Sequence, residues 1–164
     1  MVPQYILLML YNSFILPHIT YGLEVWGSAY HSYLREILLI QKKIVRIITS
    51  SKYDAHSPPL FKKLNILDIF KQYEFQIGIF VHDSLHMRLP SHFDHYFSVP
   101  MHPFNTRSKA EHYLQTPKYV SRFGQSSIKY AGPKIWNNIP SHIRDIQQRG
   151  NFKSEFKKYL LSLY

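Results

Sequence analysis

The sequence predicts a mainly α-helical fold, in which a helical bundle is followed by a small, irregular α+β segment at the C-terminus. Two observations support this prediction. Apolar residues recur at three- and four-residue spacing through residues 34–48 and 69–85, which is typical of helices with one buried face. After Leu89-Pro90, prolines and glycines divide residues 98–140 into short pieces. We therefore predict a helical region over residues 1–97 and a separate segment over residues 98–164.

The first of these helices lies in an uncharged run from Val2 to Leu23. A membrane span needs about 20 apolar residues, but polar residues interrupt this run and no basic residue flanks it. The interrupting polar residues are Gln4, Asn12, Ser13, His18 and Thr20. We therefore expect no membrane partner and no secretory signal. The pattern favours a buried helix with Pro3 in its first turn, interrupted near Pro17 and continued by a second helix through Trp26.

The second predicted helix spans about four turns and has a buried stripe and a basic remainder. The stripe consists of Leu34, Ile37, Leu38, Ile44, Val45 and Ile48, with Gln41 filling one gap. Lys42, Lys43 and Arg46 project at other angles. Lys42 and Arg46 are four residues apart, so their like charges repel on an isolated helix, and a bound phosphate would relieve the repulsion.

Three further elements complete the prediction. A helix begins at Asp68 and runs to Leu85. Alternating side chains over Lys118–Phe123 indicate a strand. A final helix is capped by Asn151. Its predicted buried residues are Phe152, Phe156, Tyr159, Leu160 and Leu163.

Composition restricts the function. With 45% hydrophobic residues in 164, the chain can bury a core. The absence of cysteine excludes disulfides, iron–sulfur clusters, thiolate zinc sites and cysteine nucleophiles. The formal net charge is +10, and residues 101–164 hold eleven basic and three acidic side chains, or +8 of it. This asymmetry favours a polyanionic partner, with a solvated surface as the alternative.

No catalytic motif is evident. The ten acidic residues are scattered singly, whereas two-metal catalysis needs clustered carboxylates. No phosphate-binding loop or serine nucleophile elbow is present. His82 and His86 have the spacing of a helical zinc pair with Asp83 beside them, so a His-based metal hydrolase stays open as an alternative. Because Asp is shorter than the Glu of zinc proteases, we expect no metal and no cofactor.

Basic and aromatic side chains alternate in the last third of the chain. Basic groups neutralise phosphates and aromatic rings stack on unpaired bases, which together are typical of proteins that bind single-stranded nucleic acid. The alternative is that the aromatic residues form the core and the lysines are their solvated neighbours. The residues concerned are Arg107, Tyr113, Lys118, Tyr119, Arg122, Phe123, Lys129, Tyr130, Lys134 and Trp136.

A series of short motifs extends over nearly the whole chain in a fixed order. The first are Tyr21-Gly22-Leu23-Glu24-Val25-Trp26-Gly27, Gln41-Lys42-Lys43 with Arg46-Ile47-Ile48, and His56-Ser57-Pro58-Pro59-Leu60-Phe61-Lys62-Lys63-Leu64-Asn65-Ile66-Leu67. Later ones are Leu89-Pro90, Asn105-Thr106-Arg107, Gly124 to Ser127, Gly132-Pro133, Trp136-Asn137 and Ile139-Pro140. Together they resemble the region after the polymerase domain of non-LTR (LINE-type) retrotransposon reverse transcriptases. Phe104 departs from the Tyr expected there.

The resemblance implies a thumb-like helical region over residues 1–97 and a basic, aromatic C-terminal segment over residues 98–164. It implies a nuclear or cytoplasmic fragment that grips template–primer or element RNA, without the carboxylates that catalyse polymerisation. The implied partners are RNA or single-stranded DNA and the polymerase palm of a full-length element protein. The alternative is a non-functional truncated fragment that only packs on a missing palm. The predicted nucleic-acid-binding residues are Lys42, Lys43, Arg46, Arg107, Lys118, Arg122, Lys129 and Lys134.

Overall fold

Helices form the regular structure of the described part of the chain, which is residues 2–93, 95–98 and 113–164 of a computed structural model. In order they are α1 (Gln4–Leu10), a π-helical turn (Tyr11–Ile15), α2 (Leu16–Thr20), α3 (Leu23–Trp26), α4 (His31–Ile48), α5 (Ser57–Leu64), α6 (Ile69–Leu85), a 3-10 turn (Ser91–Phe93), α7 (Arg122–Gln125), α8 (Ile128–Asn138), α9 (Ser141–Arg144) and α10 (Arg149–Ser162). The predicted mainly α-helical class is confirmed.

The strand predicted over Lys118–Phe123 is wrong. Residues 118–120 are irregular and α7 begins at Arg122, where Ser121 Oγ accepts a hydrogen bond from the Gly124 N–H at 3.2 Å. The described residues contain no strand that could pair with this segment. Alternating side chains therefore do not produce a strand here, because a strand needs the backbone of a neighbour.

The chain divides into two compact units. Unit 1 comprises Met1–Tyr73 and Tyr159–Tyr164, and unit 2 comprises Glu74–Lys158. The division after residue 97, which was drawn from composition and resemblance, remains a prediction.

The N-terminal helix of unit 1 continues past Pro17 and ends at Thr20. Pro17 lies in the first turn of α2, directly after the π-helical turn, so its missing N–H is accommodated there. The predicted interruption of the helix near Pro17 is therefore wrong, because the helix only widens into a π-helical turn before this residue. The real break follows at Tyr21 and Gly22, where Gly22 takes a left-handed conformation with φ of 61°. Among the described residues, no helix combines the length and apolar character needed to cross a membrane.

Gln41 organises the core of unit 1. Its side chain is fully buried on α4. The amide nitrogen donates to Tyr11 Oη at 3.0 Å and to the Leu67 carbonyl at 3.4 Å, while Oε1 accepts from the Ile69 N–H at 2.8 Å. Of the stripe predicted on α4, Leu34, Gln41, Val45 and Ile48 are buried, whereas Ile37, Leu38 and Ile44 are only partly buried. Gln41 thus connects three segments of the unit rather than merely filling a gap.

The side chain of Tyr164 forms hydrogen bonds with Asp68 at the start of α6. Asp68 Oδ1 accepts from the N–H groups of Phe70 and Lys71, both at 3.0 Å, as expected of a capping residue. Tyr164 Oη accepts from the Asp68 N–H at 2.7 Å and donates to Asp68 Oδ2 at 2.9 Å. Burial raises the pKa of Tyr164 far above its ordinary value, and the carboxylate of Asp68 raises it further.

Unit 2 packs aromatic rings against two glycines. A Cβ on Gly78 would collide with the ring of Phe156, and one on Gly132 would come within 2.6 Å of Phe97 Cε1. The last helix starts at Arg149, so Asn151 lies inside it rather than at its cap. Its buried residues include the predicted Phe152, Phe156 and Leu160, but Leu163 is exposed and Tyr159 only partly buried.

Candidate nucleic-acid interface

Unit 2 exposes four of the basic residues that the sequence assigned to nucleic-acid binding. Lys118 lies in the irregular segment before α7, Arg122 opens α7, and Lys129 and Lys134 lie on α8. None of the three lysines forms an ion pair with a described residue. Arg107 lies outside the described residues.

Other basic residues of unit 2 are already neutralised. The guanidinium of Arg149 binds the carboxylate of Asp83, with Nη2 2.8 Å from Oδ2 and Nε 2.9 Å from both oxygens. The ammonium of Lys158 lies 2.7 Å from Glu155 Oε1. Among the exposed lysines that the structure describes in unit 2, Lys118, Lys129 and Lys134 are the ones without an ion pair, whereas the unpaired Lys153 and Lys157 are partly buried.

Two aromatic rings lie beside this charge. The Lys129 ammonium is 4.8 Å from the ring centre of Tyr96, in a cation–π contact. Lys129, Tyr96 and Tyr119 line one pocket of about 340 Å³. Tyr119 is held in place because Gln125 Nε2 donates to its carbonyl at 3.1 Å and because Gly124 leaves room for its ring.

The aromatic residues that lie near these lysines in the sequence differ in how much of each side chain is exposed. Phe123 and Tyr119 are 90% and 37% exposed, so they are available to an incoming base. Tyr113 and Tyr130 are partly buried. Trp136 is 2% exposed and packs against Phe152, with ring centres 5.8 Å apart. Trp136 is thus a core residue, as the alternative interpretation had it.

The three predicted residues of unit 1 form a separate group on α4. Lys43 is exposed, whereas Lys42 and Arg46 are partly buried. Arg46 Nε donates to the Ala55 carbonyl at 2.9 Å and so fixes the loop after the helix. This bond leaves the two terminal nitrogens of the guanidinium for other partners. Arg46 therefore has a structural role in unit 1, and the predicted repulsion between Lys42 and Arg46 stays a prediction.

The histidine pair is built into the core of unit 2. His82 is fully buried, its Nε2 donates to the Ile146 carbonyl at 2.8 Å, and its ring stacks on Phe152 at 4.2 Å. Its other nitrogen lies 3.4 Å from Arg88 Nη1, a cation that repels a metal ion. His86 Nδ1 in turn donates to the His82 carbonyl at 2.8 Å.

Burial also lowers the pKa of His82, which keeps the ring neutral. Within the described residues, no group of three His, Asp or Glu side chains could hold a metal ion. The geometry therefore removes the ligand pair on which the metal-hydrolase alternative depended.

The sequence alone does not single out Arg144 as a candidate site residue. Its side chain on α9 is buried, with 5% exposed, and its guanidinium lies 4.4 Å from the ring centre of Tyr113. Neither Nε nor Nη1 has a hydrogen-bond partner among the described residues, and the same is true of Trp136 Nε1. Arg144 and Trp136 line one pocket of about 400 Å³. Nothing in the local sequence distinguishes Arg144 from the exposed basic residues, because its burial depends on distant segments.

The comparisons with known proteins relate the chain to a transposon. It is 30% identical over 65 residues to a protein of Drosophila melanogaster described as a probable RNA-directed DNA polymerase from transposon X-element. The matched stretch is 40% of this chain and 7% of that protein. No protein-family profile matches, and no solved structure does. The similarity supports a reverse-transcriptase-related origin.

Proposed function

We propose that the chain is a nucleic-acid-binding fragment of a non-LTR retrotransposon reverse transcriptase, from the thumb and the region after it. It grips template–primer or element RNA and does not itself catalyse nucleotide addition. The order of the sequence motifs supports the origin, and so does the similarity to a transposon polymerase. The observation that carries the binding function is the set of exposed lysines without described acidic partners, at Lys118, Lys129 and Lys134.

The aromatic surroundings of these lysines favour a single strand over a duplex. Tyr119 and Phe123 present ring surface beside Lys118 and Arg122. Unpaired bases stack on such rings, whereas the bases of a duplex are already stacked on each other. Contacts to phosphate and to ring faces do not depend on base identity, so we expect binding that tolerates many sequences.

The test is the salt dependence of binding to a short, fluorescently labelled oligonucleotide. Each phosphate contact contributes about 0.7 to the slope of log K against log salt for single strands. Replacing Lys118, Lys129 and Lys134 by Ala should reduce that slope by about 2. An unchanged slope in this triple variant would refute the proposed surface.

A matched control removes the same charge elsewhere. Lys52, Lys62 and Lys63 are exposed lysines of unit 1 that lie outside the predicted site. Their triple replacement by Ala should leave the slope near that of the parent. Equal losses in both triple variants would mean that net charge alone, and not the surface on unit 2, attracts the strand.

A second candidate function is that of a packing piece for a missing palm domain. The observation that favours it is the apolar surface of the N-terminal helices, where Tyr5, Met9 and Phe14 are 71%, 56% and 64% exposed. Such a surface marks an interaction site or a tendency to aggregate. Gel filtration separates the two functions. A monomer that binds oligonucleotides supports the first, and an aggregate that binds none supports the second.

A further inference from the structure

Two residues that line the pocket beside Arg144 carry three buried donors that have no acceptor in the part of the chain that the structure describes. They are Nε and Nη1 of Arg144 and Nε1 of Trp136. Both residues line the same pocket, whose volume is about 400 Å³. A buried donor loses its hydration on folding and is destabilising unless an acceptor replaces the lost water. Such donors on two residues that line one pocket are open to a ligand with acceptor atoms.

The charge of the pocket defines that ligand further. Arg144 is a buried cation whose described surroundings supply a tyrosine ring but no ion pair. A buried cation is destabilising without a counter-charge. Asp145 also lines the pocket, but its side chain is exposed. A ligand that satisfies Arg144 therefore carries negative charge and several acceptor oxygens.

We infer that the Arg144 pocket binds a phosphate group. A phosphate has several acceptor oxygens for the guanidinium and for the indole N–H of Trp136, and the planar fork of arginine is well suited to such an oxyanion. Arg144 lies outside the set of lysines proposed above to bind a strand. The phosphate can come from a nucleic-acid strand or from free phosphate, and only the strand form rests on the proposed function.

Phosphate binding at this pocket can be followed by NMR through the indole N–H signals of the two tryptophans. The chain contains only Trp26 and Trp136, so a ¹H–¹⁵N spectrum has two indole signals. Trp26 Nε1 already donates to the Tyr21 carbonyl at 2.8 Å and serves as an internal reference. Titration with inorganic phosphate should move the Trp136 signal downfield in a saturable manner and leave that of Trp26 in place. A Trp136 signal that does not respond to phosphate overturns the inference.

Substitution of Arg144 tests the role of the cation. Arg144→Met should weaken phosphate binding roughly 10-fold or more, since it removes charged hydrogen bonds. Arg144→Lys keeps the charge without the fork, so it should bind with intermediate affinity. The control Lys52→Met, at an exposed lysine outside both the pocket and the proposed lysine surface, should bind phosphate like the parent. Undiminished binding by Arg144→Met contradicts the inference.

Thermal unfolding distinguishes a ligand site from a structural arginine. Phosphate should raise the Tm of the parent but not that of Arg144→Met. Without phosphate, Arg144→Met should be at least as stable as the parent, because it removes an uncompensated buried charge. If Arg144→Met does not fold, Arg144→Lys and the Trp136 titration of the parent decide the question.

The source and type of anion are tested by three further ligands. Acetate at equal ionic strength should move the Trp136 signal far less than phosphate, and an equal response contradicts phosphate selectivity. If a short oligodeoxynucleotide with a 5′-phosphate moves the Trp136 signal, the source of the phosphate is a strand. If the same strand with a 5′-hydroxyl also moves the signal, the pocket accepts internal phosphates, and if it does not, the pocket accepts only the terminal one. Response to inorganic phosphate but to neither strand supports free phosphate. Salt-dependent oligonucleotide binding without any Trp136 response would refute this inference and leave the proposed function intact.

Discussion

Replacing Gln41 by Leu tests whether a buried amide holds unit 1 together. The substitution preserves approximate size but removes the acceptor for the Ile69 N–H and the donor to Tyr11 Oη. Each buried polar group left unpaired costs about 1–3 kcal/mol. We therefore expect Gln41→Leu to lower the free energy of unfolding by about 2–6 kcal/mol, measured by urea denaturation followed by far-UV circular dichroism.

A double-mutant cycle isolates the bond between Gln41 and Tyr11. In Gln41→Leu with Tyr11→Phe, the Ile69 N–H and the Leu67 carbonyl stay unpaired but the Tyr11 hydroxyl is gone, so the combined loss should be smaller than the sum of the two single losses. Gln4→Leu, at an exposed position of α1, is the matched control and should change stability by less than about 0.5 kcal/mol. If Gln41→Leu were as stable as this control, the proposed bridging role of Gln41 would be refuted.

Two further predictions concern unit 2. Gly132→Ala should lower the free energy of unfolding by about 1–3 kcal/mol, because the added Cβ would come within 2.6 Å of Phe97 Cε1, and a Tm equal to that of the parent would contradict this. Burial lowers the pKa of His82 below the ordinary 6.5, so the unfolded chain binds the proton more tightly and stability should fall as pH decreases below about 6.5. In His82→Gln this dependence should weaken, which urea denaturation at several pH values can measure, and an unaltered pH profile would show that other groups cause it.

Much of the helical architecture follows from local sequence patterns. The apolar spacing of residues 34–48 predicts α4, and Asp68 caps α6 as expected. Both features depend on residues within a few positions of each other. The strand at Lys118–Phe123 is wrong because strand formation depends on a partner that the pattern of one segment does not reveal.

The candidate site was only partly predictable for a related reason. The sequence singled out Lys118, Lys129 and Lys134, and the structure leaves them exposed without described acidic partners. Trp136 was grouped with them, but it lies in the core. Alternating basic and aromatic residues show that both types are near each other in sequence, and do not show which of them faces solvent.

The sequence alone determined the helical class, the excess of positive charge near the C-terminus and the absence of cysteine chemistry. Only the tertiary structure decided which of those charges remain unneutralised. Arg149 is paired with Asp83, 66 residues earlier. Arg144 is buried at the pocket that Trp136 also lines, and its Nε and Nη1 find no partner in the described part of the chain. The physical reason is that helix formation depends on neighbours within a turn or two, whereas burial and charge neutralisation depend on residues that folding brings together from distant parts of the chain.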